Sequence, residues 1–151
     1  MRGMLVLGLA ALLATPVVAE EWRYEGGGTP IAYIDNGAAQ FQFACRGGDL
    51  AMGFWVRAPH KAVAKASAMN LSITPDSGGT SFAQELPLIH ADGSSVIVRG
   101  PVARQWAKIA RQAKDGIRVA YVRTGGEALD SNDFGARGSS AAIAKVLDRC
   151  G

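Results

Sequence analysis

The residues able to do chemistry are few, and most stand far apart. Cys45 and Cys150 are the two cysteines, and a bond between them would close a loop of roughly a hundred residues. A thiol redox site wants two cysteines close together or one activated by a cation. Arg46 and Arg149 adjoin them, but the long spacing favours a structural disulfide. His60 and His90 are the two histidines. As a zinc pair they would need further ligands, and with both cysteines spent only carboxylates such as Asp92 remain. No metal and no cofactor is therefore expected. His90, Asp92 and Ser94 or Ser95 hold the residue types of a serine triad, but they crowd one turn and are not expected to form the relay. No Gly-x-Ser-x-Gly elbow occurs. Asp76 and Glu85 are no better an acid and base pair than any other two carboxylates. Gly138-Ser139-Ser140 precedes a helix but lacks the rest of a phosphate-binding pattern, and is read as a turn with a serine cap.

Charge offers a sharper signal. Between Arg99 and Arg123 lie seven cations and one acid, Asp115. Within that stretch Arg104, Lys108 and Arg111 recur at four and three residues, which places them on one face of a helix. Such a face suits an acidic protein, an anionic envelope polymer or lipid headgroups. The bland alternative is the solvated side of a two-sided helix. Nucleic acid is not expected as a partner, and Trp106 and Tyr121 read as core residues. Adjacent Phe54 and Trp55 must point to opposite faces of a strand. The outward one either packs under a helix, the favoured reading, or anchors a ligand.

These residues need a scaffold, and its extent is set by the N-terminus. Arg2, the apolar run Met4 to Ala14, the break at Thr15-Pro16 and the small residues Val17-Val18-Ala19 read as a cleavable secretory leader over residues 1–19. The apolar run is about half of the roughly 20 residues that span a bilayer, so an uncleaved anchor is disfavoured. No later stretch suits a transmembrane segment. Export would put residues 20–151, a single soluble domain, in the periplasm or outside the cell, where paired thiols persist as disulfides. The whole chain carries 16 Lys and Arg against 13 Asp and Glu, too weak an excess to name a partner.

Short runs rich in branched and aromatic residues then read as strands: Ile31 to Ile34, Phe41 to Ala44, Leu50 to Val56, Asn70 to Thr74, Ala83 to His90, Ser95 to Arg99 and Ile117 to Val122. A shorter one opens the domain near Trp22 to Tyr24, and another lies at Asp133 to Ala136. Asn36-Gly37, Gly47-Gly48-Asp49, Pro75 to Thr80 and Ala91-Asp92-Gly93 mark turns. Phe41, Phe43 and Cys45 alternate with Gln40, Gln42 and Ala44, so Cys45 faces the core. Residues 58–68 read either as a helical turn or as a loop. Pro101 opens a helix whose apolar face holds Val102, Trp106, Ile109, Ala110 and Ala113. A second helix, capped by Ser139 or Ser140, presents Ile143, Val146, Leu147 and Cys150. The fold expected is α+β: a largely antiparallel sheet of seven to nine short strands with two helices near the C-terminus. A β-sandwich with peripheral helices is the alternative.

The closing run Asp133-Phe134-Gly135-Ala136-Arg137-Gly138-Ser139-Ser140-Ala141-Ala142-Ile143, leading to Cys150, resembles the ending of many small, largely uncharacterised exported proteins of Gram-negative bacteria. The resemblance implies a periplasmic location and a bond from Cys150 to the early strand bearing Cys45, and it brings no catalytic residues. The function expected is a non-enzymatic periplasmic binding or accessory domain of the cell envelope. It would meet an acidic periplasmic protein or anionic envelope polymer through Arg104, Lys108 and Arg111. An envelope-acting hydrolase using His60 or His90 is the alternative.

Overall fold

A computed structural model describes residues 21–76 and 81–150. The expected leader and its cleavage point after Ala19, and most of the turn expected over Pro75 to Thr80, lie outside those residues. The first half of the chain builds an antiparallel meander: β1 (Arg23–Glu25), β2 (Ile31–Asp35), β3 (Ala39–Arg46) and β4 (Asp49–Val56). Its turns follow from local chemistry. Asn36 accepts hydrogen bonds from the backbone N–H of Ala38 and Ala39 at 2.9 and 2.8 Å, an Asx arrangement that reverses the chain. Arg46 pairs with Asp49 across Gly47-Gly48, whose φ angles of 59° and 85° are those a two-residue hairpin requires.

A short helix, α1 (Lys61–Lys65), resolves the ambiguous segment, and its Val63 is fully buried. Next come β5 (Ala68–Pro75), β6 (Phe82–Pro87), β7 (Ile89–His90) and β8 (Ser94–Arg99). They are followed by α2 (Pro101–Gln112), β9 (Gly116–Val122), β10 (Ala128–Gly135) and α3 (Ser139–Arg149). The class is α+β with antiparallel pairing throughout, but the ten strands form two sheets rather than one. The first sheet runs β1-β2-β3-β4-β8-β7 and the second β10-β9-β5-β6.

The division arises where Ala83 to His90 reads as one strand. Pro87 has no amide hydrogen to extend the ladder, so β6 ends there against Ala68. Leu88 then donates to the Ser67 carbonyl at 2.9 Å, and β7 joins β8 in the other sheet. The inner faces of the two sheets meet through aromatic rings. Phe41 lies 6.0 Å from Phe134, and Phe54 lies 5.7 Å from Tyr121 and 6.4 Å from Phe134. Phe41 and Phe43 are fully buried and Cys45 nearly so, as the alternation predicts.

The two long helices close the rest of this core. Pro101 starts α2 as expected, and Trp106, Ile109, Ala110 and Ala113 are buried. Val102 is not: it is 36% exposed, and Ala103 and Ala107 take the inward seam instead. The small alanines let the helix approach the sheets closely, whereas Val102 falls on the far side of that seam. In α3 the buried residues are Ser139, Ala142, Ile143 and Val146. No serine caps it. Gly138 is the cap residue with φ 76°, a left-handed angle that serine rarely adopts, and Ser139 is drawn inside as the first helical residue.

β10 starts well before the Asp133 that its apolar residues suggest. Residues Ala128 to Asn132 carry little strand signal. Their pairing with β9 shifts between Leu129 and Asn132, and Asp130 takes φ 48° within this bulge. The outer rim of β10 is closed by side chains that flank β1 and β2: Trp22 Nε1 donates to the Gly135 carbonyl at 3.0 Å, and Asn36 Nδ2 to Asn132 Oδ1 at 3.1 Å. A free strand edge is thereby covered.

Cys45 in β3 and Cys150 at the end of α3 are bonded, with Cα atoms 5.4 Å apart. Replacing both by alanine is expected to lower unfolding stability in urea by up to about 5 kcal/mol, the chain-entropy value for a loop of this size. A loss below about 1 kcal/mol would contradict a constraining bond. A second expectation concerns Tyr121, which is fully buried and whose hydroxyl has no hydrogen-bond partner among the described residues. Burial, assisted by the nearby Asp130 carboxylate, pushes its pKa well above the ordinary value. Tyr121→Phe is expected to leave stability unchanged or raise it by about 1 kcal/mol. Above a pH of about 10 the unfolded phenol ionises while the buried one stays neutral. The native protein should therefore lose stability with rising pH more steeply than the phenylalanine variant. A clear loss of stability in Tyr121→Phe at neutral pH would mean that the hydroxyl is satisfied.

Candidate functional site

Arg104, Lys108 and Arg111 are brought together on the flank of α2 that meets α3. The two helices run antiparallel, because the start of α2 lies by the end of α3 and the reverse. Arg104 Nη2 donates to the Cys150 carbonyl at 2.7 Å, and Arg111 Nε donates to Ser140 Oγ at 3.4 Å. Arg104 thus satisfies a carbonyl at the α3 C-terminus, where a cation also opposes the partial negative charge of the helix end. Lys108 stands between these two anchors. With Gln112, Ser140 and Leu147 the three cations line a groove of about 330 Å³. Among the described residues no carboxylate lines it.

The other cations of the basic stretch divide differently. Arg118 pairs with Asp133 at 2.8 Å and Arg123 with Glu127 at 3.2 Å, so both are neutralised at the surface of the second sheet. The sequence identified the three groove cations by their helical spacing. Ser140, whose position before the helix suggests a cap, and Leu147, whose spacing suggests the buried face but which is half-buried, join the groove only in the folded chain.

The histidines hold structure. His60 is the cap residue of α1: its Nδ1 accepts from the Ala62 N–H at 3.0 Å, and its own N–H donates to the Asp130 carboxylate at 2.9 and 3.1 Å. The bulge in β10 aims that carboxylate. His90 and Ser94 do approach each other, with Nδ1 and Oγ 2.8 Å apart, although the relay is not expected from the sequence. His90 Nε2 lies 2.8 Å from the Ala66 carbonyl, which can only accept, so Nε2 carries the proton and Nδ1 accepts from the serine. Asp92 takes no part. Ser94 is 1% exposed, and the pair works as a clasp across the β7–β8 hairpin.

Asp76 and Glu85 are also apart. The Asp76 carboxylate accepts from the N–H groups of Lys114 and Asp115 at 3.0 and 2.8 Å, fixing the exit from α2, while Glu85 is exposed on β6 opposite Asn70. Among the described residues no group of three His, Cys, Asp or Glu side chains is placed to hold a metal ion. No helix among them is long and apolar enough to cross a membrane.

Trp55 does not pack under a helix. It stands half-buried on the outer face of the first sheet, where Nε1 donates to the Asp92 carbonyl at 2.7 Å. The Arg57 guanidinium lies over its ring at 4.6 Å. Arg57 in turn donates to both oxygens of Asp35, which holds that carboxyl below the usual carboxylate range.

No protein-family model and no curated protein sequence matches the chain. Among solved structures its fold is similar to that of invasion associated protein B from Bartonella henselae, with a TM-score of 0.57 and 11% sequence identity. The superposition covers 87% of this chain and 94% of that chain. At that identity the likeness is one of fold.

Proposed function

We propose that this protein is a non-enzymatic binding or accessory domain of the periplasm that receives an acidic segment of another exported protein in the groove between α2 and α3. The observation that carries the reading is the convergence of Arg104, Lys108 and Arg111 on a groove that no carboxylate of the described residues lines. Arg104 and Arg111 are held by α3, which fixes their charge in place before any partner arrives, and a preorganised site loses less entropy on binding. The leader pattern and the Cys45–Cys150 bond support an oxidising compartment. The hydrolase reading rests on the His90–Ser94 contact alone, in which the serine is buried.

The test places a photo-crosslinking amino acid at Gln112, on the groove wall, in cells that make the protein, and identifies the captured residues by mass spectrometry. The expected product is a defined protein joined through a run rich in Asp and Glu. Lys108→Glu, which breaks no hydrogen bond described for the native chain, should reduce capture at least roughly tenfold. Capture of a segment without acidic residues, or capture that Lys108→Glu leaves unchanged, would overturn the reading. Crosslinking to an anionic polymer instead of a protein would replace the partner assigned.

A further inference from the structure

The face of the first sheet that points away from α2 and α3 carries a second concavity, formed where β3, β4 and β8 lie side by side. Its centre is Gly53, which pairs with Gln42 on one side and Ile97 on the other. A glycine between two long side chains opens a slot in an otherwise continuous surface. A Cβ at this position would come within 3.1 Å of Gln42 Cγ. The next row holds Gln40, Trp55 and Ser95, and these six residues, with Phe54 and Val96, line a cavity of about 270 Å³.

The chemistry of the slot restricts its occupant. None of the lining residues is charged, so neither an anion nor a cation is selected. The backbone of β3 and β4 is spent on ladders to either side and β8 pairs with β4 along the slot, so the floor of the slot offers no backbone group to an added strand. What remains is side-chain chemistry. Gln40 Nε2 donates to Gln42 Oε1 at 2.9 Å. Among the described residues the Gln42 amide nitrogen and the Gln40 carbonyl oxygen have no partner in the chain, leaving a donor and an acceptor side by side. Ser95 adds a hydroxyl. A purely apolar ligand would cover these groups without satisfying them.

Trp55 and Ile97, the latter 45% exposed, supply the apolar lining. The tryptophan is rigid: Asp92 holds its Nε1, and Arg57, clamped by Asp35, lies over the ring. A fixed aromatic beside paired amides suits a ligand with apolar C–H faces and hydroxyls that both donate and accept. We infer that this slot binds a single unit of a neutral carbohydrate. The volume falls just below the usual range for ligand pockets, which fits one sugar ring rather than an extended chain. This site lies on a different face from the basic groove and does not depend on it.

The probes are maltotriose, cellotriose and triacetylchitotriose, titrated into the isotopically labelled protein and followed through the three indole N–H resonances. Trp22 and Trp106 are 5% and 0% exposed, so only the Trp55 signal should move. At least one of the three sugars is expected to give a saturable shift with a Kd of about 1 mM. Gly53→Val, which fills the slot, should abolish the shift. Gln42→Leu, which leaves the backbone untouched, should weaken binding by about tenfold. No saturable shift with any of the three sugars would overturn the proposal. So would equal binding by Gln42→Leu, or shifts confined to α2 and α3. Each of these outcomes leaves the acidic-partner reading standing.

Discussion

The bond between Cys45 and Cys150 holds the end of α3 against the inner face of β3, and the groove between the helices inherits its geometry from that junction. Arg104 reaches across from α2 to the carbonyl of the same Cys150. One residue therefore receives a covalent link from the sheet and a charged hydrogen bond from the neighbouring helix. At the far end Arg111 meets Ser140. The cations are spread along a groove whose walls are fixed at both ends, and Lys108 is left between them with its charge uncommitted.

A second constraint is that several of the chemically capable residues are tied into the scaffold. His60 caps α1 and is tied through its backbone to Asp130, His90 and Ser94 lock a hairpin, and Asp76 fixes the α2 exit. Each satisfies backbone or hydroxyl groups that would be costly to leave unpaired near a packed core. Residues that look catalytic in composition are thus consumed by the demands of joining short strands.

The two concavities differ in the physics they offer. The helix groove presents concentrated positive charge, which acts over several ångströms and is screened by salt. The sheet slot is neutral, and its selectivity would come from short-range fit and hydrogen bonding around a fixed tryptophan. They lie on opposite sides of the core, so the two proposed sites are spatially separate.

The local features are legible in the order of residues. The period of two in β3 turned Cys45 inward, Asn36-Gly37 and Gly47-Gly48 placed hairpins, Pro101 began α2, and the spacing of Arg104, Lys108 and Arg111 put them on one helix face. Each is a property of neighbouring residues. Tertiary structure decided what depends on residues distant in the chain: the division of Ala83 to His90 between two sheets, the bulged start of β10 and Gly138 in place of a serine cap. It also decided the outward turn of Val102, the joining of α3 to the basic face, and the slot that Gly53 opens between Gln42 and Ile97. Side-chain period and turn chemistry are encoded within a few residues. The choice of neighbouring strand and opposing helix is made by which apolar surfaces can be buried together, and that is settled only when the whole chain packs.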